Sequence, residues 1–182
     1  CGWDNDTRHN IPSRYEALCG LCGGEFNKSL GVSKPYDFRS WVPDAIVVNL
    51  GTNDASAFEQ PPFTIPETGE ICKQHKNPDG TYNREDLLKF EQAVIDFLKM
   101  LRKHNESSHI VWAYGMLGYD LTLAITEAMN TYRNETGDSN VAFLQLPDST
   151  PDNLGAHAHP GPASHERAAA ILIEYFKKKW EV

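Results

Sequence analysis

Asp44-Ala-Ile-Val-Val-Asn-Leu-Gly-Thr-Asn-Asp54 is the stretch whose reading decides the fold. The run from Ala45 to Leu50 is rich in β-branched residues and predicts a strand buried on both faces, with Gly51-Thr52-Asn53-Asp54 as a polar turn at its carboxyl end. Open α/β sheets carry their chemistry at that edge.

Working outward, the chain keeps the same rhythm. Ala55 to Asn83 holds Pro61-Pro62, Pro66, Gly69 and Pro78-Asp79-Gly80, which predicts a long surface loop without regular elements of any length, a lid or a substrate wall. Within it, Phe58 and Phe63 are either sugar-stacking platforms or anchors for the loop. Arg84 to Lys103 places Leu87, Leu88, Phe90, Val94, Phe97, Leu98 and Leu101 at helical spacing, with Asp86 near its start and Arg102, Lys103 and a solvated His104 at its end. His109 to Tyr114 reads as a second buried strand closed by the turn Gly115–Gly118, Leu121 to Arg133 as a helix, Val141 to Leu146 as a third strand, and Ala168 to Trp180 as a last helix. Strands alternating with helices predict a parallel sheet covered on both faces, in one domain.

Composition narrows the function. The 182 residues are 40% hydrophobic and carry a formal net charge of −8, which suits neither nucleic acid nor an anionic membrane, since both demand a basic face. A sugar, or a neutral or cationic small molecule, fits better. No apolar run reaches the roughly 20 residues of a membrane span. Four cysteines (Cys1, Cys19, Cys22, Cys72) are too few for a disulfide scaffold, and Cys19-Gly-Leu-Cys22 reads as a structural loop rather than a redox or zinc motif. Asn-x-Ser/Thr sequons at Asn5, Asn27, Asn105 and Asn134 are compatible with secretion.

Gly51-Thr52-Asn53-Asp54 resembles the G-x-N-D block of the SGNH (GDSL-type) hydrolases. Together with Tyr36-Asp37-Phe38-Arg39-Ser40-Trp41-Val42-Pro43-Asp44 before it and His159-Pro160-Gly161-Pro162-Ala163-Ser164-His165 near the end, it is similar to the acetyl xylan esterase branch, the second carbohydrate esterase family. The resemblance implies a three-layer α/β/α, flavodoxin-like parallel sheet. It also implies that Cys1-Gly2-Trp3 follows a Gly-Asp-Ser block, so that the first strand, central in the sheet, and the nucleophilic serine lie upstream. The implied activity is metal-independent and cofactor-free removal of acetyl groups from plant-wall polysaccharide or its oligosaccharides by a secreted enzyme. The rival is a carbohydrate-binding protein that keeps the fold without the nucleophile.

The implied residues carry roles that serine hydrolysis needs. His159 is the expected general base, in a Pro- and Gly-punctuated loop after the last strand. Asn53 is the expected oxyanion donor, its bland alternative being a turn-former, and Asp54 is expected to be structural. Gly20 or Gly23 stands where a backbone N–H joins the oxyanion hole. Many SGNH members carry an Asp three residues before the base, where this chain has Ala156, so a Ser–His dyad with a backbone carbonyl holding the imidazole is expected. Gly137-Asp138-Ser139 imitates the nucleophile triplet but sits between a helix and a strand, so it reads as a helix-ending turn. His157, His159 and His165 have the residue type for a metal, yet no Cys or carboxylate joins them in that loop, and no metal site is expected.

Overall fold

In the computed structural model, which describes residues 5–18 and 24–181, three parallel strands form the central sheet in the order β1 (Ala45–Val48), β4 (His109–Tyr114), β5 (Val141–Gln145). The remaining elements are α1 (Glu25–Ser29), α2 (Thr52–Ala57), the two-residue antiparallel pair β2 (Phe63–Thr64) and β3 (Ile71–Cys72), α3 (Arg84–His104), α4 (Thr122–Thr136) and α5 (Pro162–Trp180). Every β4 residue is buried, as its unbroken apolar run demands.

Alternation along the strands divides the core. Ile110, Trp112 and Tyr114 face α3 and α4, where Val94, Phe97, Leu98, Leu101, Ile125 and Met129 are buried. Val111 and Ala113 face Ala168, Ile171 and Leu172 of α5. Helices on both sides of a parallel sheet make the three-layer α/β/α arrangement. Each wholly buried leucine in it, Leu98 for one, is worth about 2–5 kcal/mol against truncation to alanine.

Local signals set the helix ends. The Asn83 side chain caps α3 by accepting from the Glu85 and Asp86 N–H groups at 2.9 and 3.3 Å. Gly137 ends α4 in the left-handed region, its N–H donating to the Arg133 carbonyl at 2.8 Å. Pro162 opens α5 six positions before the expected start at Ala168, because a proline at the first helical position loses no hydrogen bond.

Three further expectations are corrected. β1 is not buried on both faces: Val47, opposite Val111 in the register, is 43% exposed because α5 packs over β4 and β5 without reaching it. The segment from Ala55 is not devoid of regular structure; it begins inside α2 and includes the β2–β3 pair. His104 is not solvated, since it stacks on Phe38 at 4.0 Å and its Nε2 meets Glu16 Oε1. Asn5 and Asn105 are buried with their amides donating to Ala57 and Leu101 carbonyls at 2.9 Å each, so neither sequon is accessible in the folded chain. Among the described residues no helix is long and apolar enough to cross a membrane.

Candidate active site

The carboxyl ends of β1, β4 and β5 lie along one edge of the sheet. Asn49 Nδ2 donates to the Ala113 carbonyl at 2.7 Å, and Trp112 Nε1 to the Leu50 carbonyl at 3.0 Å, tying the end of β1 to β4. Leu146 N–H donates to the Tyr114 carbonyl at 2.8 Å, tying β5 to the same strand. With strands about 4.8 Å apart, β1 and β5 stand roughly 10 Å from each other across β4. Asn53 follows the first and His159 the second.

The Gly-Thr-Asn-Asp block is not a free turn. Gly51, at φ 127°, is the residue from which α2 starts, and Thr52, Asn53 and Asp54 are its first turn. A Cβ on Gly51 would sit 2.9 Å from the Tyr114 ring, so both the positive φ and the close approach require glycine. Tyr114 is wholly buried, and that burial pushes its hydroxyl up to about 12. Asn53 is exposed, and among the described residues its amide has no hydrogen-bond partner, unlike a turn-forming asparagine, which bonds its own backbone. Burial pushes the Asp54 carboxyl up.

His159 is held by the loop between β5 and α5. Its Nδ1 lies 3.1 Å from the His157 carbonyl oxygen; a carbonyl only accepts, so this bond places the proton on Nδ1 and leaves Nε2 as an acceptor. His157 and Ala158 reach that geometry in the left-handed region, at φ 53° and 58°, at a cost of about 1–2 kcal/mol each. Strain of this kind persists only where surroundings impose it. Here Asn153 is the clasp: its carbonyl accepts from Gly161 N–H at 2.9 Å, and its side-chain oxygen accepts from Thr150 N–H and from the buried Ser164 hydroxyl at 2.8 Å each. Gly155 N–H donates to the His159 carbonyl at 2.6 Å. A Cβ on Gly161 would stand 2.7 Å from the Asn153 carbonyl, so the crossing needs glycine. Asn153 and Ser164 were not among the expected site residues; Thr150-Pro-Asp-Asn153, a capping box, is the signal that finds the first.

The other candidates fall elsewhere. Gly20 and Gly23 lie outside the described residues, as do Cys19 and Cys22; Cys72 is a free thiol. Asp152, the carboxylate seven residues before His159, bonds the Thr150 hydroxyl and not the imidazole. Asp138 accepts from Arg102 Nε at 2.8 Å and the Tyr132 hydroxyl at 2.7 Å at the amino end of β5, so the Gly137-Asp138-Ser139 triplet sits on the opposite edge of the sheet. Phe58 is buried and stacked on Tyr82 at 4.0 Å, and Phe63 lies under the Arg8 guanidinium at 5.2 Å, so both serve as anchors. Among the described residues no three His, Cys, Asp or Glu side chains cluster as a metal would require.

This fold, with an asparagine after β1 and a histidine before the last helix, is that of the SGNH hydrolases, and its structural neighbours are family-two carbohydrate esterases. Over 98% of its length the chain is similar to an acetyl xylan esterase from the rumen bacterium Butyrivibrio proteoclasticus, at 57% identity and a TM-score of 0.96, covering 48% of that chain. A family-two carbohydrate esterase from Clostridium thermocellum in complex with cellohexaose matches at 25% identity and a TM-score of 0.59, with 90% of this chain and 46% of that one covered. Among curated proteins, the cellulase/esterase CelE of Acetivibrio thermocellus is 27% identical over 150 residues, 79% of this chain and 15% of that protein. The chain thus spans about half the length of the solved structures it matches and a smaller share of the curated relative. No family model matches it.

Proposed function

We propose that this chain is the catalytic-domain portion of a secreted carbohydrate esterase that removes acetyl groups from plant-wall polysaccharide or its oligosaccharides, with the nucleophilic serine on a strand upstream of Cys1. The observation that carries the reading is the His159 imidazole held through Nδ1 by a backbone carbonyl, with Nε2 left to accept a proton. The upstream serine hydroxyl would add to the acetyl carbonyl carbon as His159 Nε2 takes its proton. The oxyanion would form against the Asn53 amide and a backbone N–H of Gly20 or Gly23. Collapse of the intermediate passes the proton from His159 to the departing sugar oxygen. Water, activated by the same base, then frees acetate. Nothing in this sequence calls for a metal or cofactor. The outer edge of β1, unpaired among the described residues, and the bare Val47 face beside it suit one more strand. A polymeric substrate places the enzyme outside the cell, and saccharide recognition agrees with the cellohexaose bound by the Clostridium thermocellum relative.

The test uses the protein extended upstream through its serine. His159→Ala is expected to lower kcat on an aryl acetate about a thousandfold or more with KM little changed, while His157→Ala is mild, because the main chain of His157 and not its exposed ring holds the base. Equal losses from the two substitutions, rescued by added zinc, would favour a metal site instead, and an upstream sequence without a serine nucleophile would favour the non-catalytic binding protein.

A further inference from the structure

Beside Asn53, α2 forms one wall of an open cleft of about 610 Å³ through Thr52, Ala55, Ser56 and Glu59. The opposite wall is the Lys76–Tyr82 hairpin of the inserted segment, and Leu117 and Asp120 from the loop after β4 close the third side. The hairpin is fixed in place: Tyr82 stacks on the buried Phe58, Lys76 lies over Tyr82 at 5.4 Å and pairs with Glu59, and Asn77 N–H donates to the Thr81 carbonyl at 2.8 Å. The volume is within the range of small-molecule sites, about 300–1,000 Å³.

The lining states what would fit. Hydroxyl groups both donate and accept, so a polyol needs acceptors and donors close together. Here Glu59 and Asp120 accept, Lys76 donates and Thr52 does either, while the Ser56 and Thr81 hydroxyls, which donate to the Thr52 carbonyl and to Asp79, add acceptors; Ala55, Leu87 and Leu117 offer apolar surface for sugar C–H faces. Asp120 has no hydrogen bond or ion pair among the described residues, so its oxygens are available to a ligand. The charged groups are two carboxylates and one ammonium, a balance that disfavours anionic sugars.

We infer that this cleft, built by the inserted segment against α2 and the loop after β4, is a saccharide subsite for a neutral glycan chain whose acetylated unit lies at Asn53, with Asp120 as its specificity-determining residue. The inference rests on the esterase reading for the identity of the bound chain, and its test is separable from that reading.

Isothermal titration of the upstream-extended protein with xylotetraose should give binding that Asp120→Asn weakens at least tenfold and that Ser56→Trp, which fills the cleft, abolishes, with an anionic oligogalacturonide of equal length binding at least tenfold more weakly than xylotetraose. Melting temperatures of both variants should stay near the parent's, since Asp120 is exposed and the half-buried Ser56 faces the open cleft. Xylotetraose binding that ignores both substitutions, no binding at millimolar concentration, or equal affinity for the anionic oligomer would overturn the subsite. Binding with the expected sensitivity but no aryl acetate turnover in the extended parent would uphold the cleft and overturn the esterase reading.

Discussion

The two halves of the candidate site are held by opposite means. Asn53 stands on a helix turn locked by packing, with Gly51 pressed against the buried Tyr114 ring. His159 stands on a loop with almost no apolar contact of its own, held by hydrogen bonds through Asn153, Ser164 and Gly161 and carrying two residues in the left-handed region. Packing is insensitive to which way a donor points, whereas a hydrogen-bonded loop specifies one orientation of its carbonyls. That suits their proposed duties: an oxyanion donor has to stay put, and a base has to keep its tautomer.

The two regions should respond differently to substitution. The largest effect on stability is expected from Gly51→Ala, which meets the Tyr114 ring and a positive φ together; thermal unfolding should report a loss of about 2–4 kcal/mol. A control sits at the other edge of the sheet. Burial alone would raise the Asp138 carboxyl, but hydrogen bonds from the Tyr132 hydroxyl, Arg102 and the Asn140 N–H outweigh it and leave it below the usual range. A depressed carboxyl stabilises above its unfolded pKa of about 3.9 and loses that contribution as pH falls through the folded value. Asp138→Asn should therefore lose about 2 kcal/mol at pH 7 without affecting the chemistry, and the gap to wild type should close in melts below about pH 4. A smaller stability effect is expected from Ser164→Ala, about 1 kcal/mol, yet in the extended enzyme it should lower kcat by about tenfold with KM unchanged. A Ser164→Ala variant that melts early but turns over normally would mean the clasp does not position His159.

Legibility followed the same division. The apolar run of β4, the stripe of α3 and the Gly ending α4 are written in residue type and spacing, and each formed as that spacing requires. The Gly-Thr-Asn-Asp block was legible as the polar end of β1 but not as a helix start, because Pro and Gly further on masked the six-residue α2. The exposure of Val47 had no signal, since an edge strand and a central strand share one apolar pattern. That a backbone carbonyl holds the His159 imidazole was legible from Ala156 standing where relatives carry Asp; that it is the carbonyl of His157 was not, because the geometry depends on left-handed His157 and Ala158, and no local residue pattern announces such a turn.

The central claim is that Asn53 stabilises negative charge rather than structure, and the kinetics and melting of Asn53→Ala and Asn53→Asp in the upstream-extended enzyme test it most directly. Because the Asn53 amide is exposed and has no partner among the described residues, both variants should keep a near-parental melting temperature and KM. Loss of one oxyanion donor should lower kcat about a hundredfold to a thousandfold for the alanine, and at least as much for the aspartate, which sets a negative charge where negative charge develops. An Asn53→Asp enzyme that kept most of its activity, or an Asn53→Ala enzyme whose melting temperature fell together with every kinetic parameter, would contradict the account.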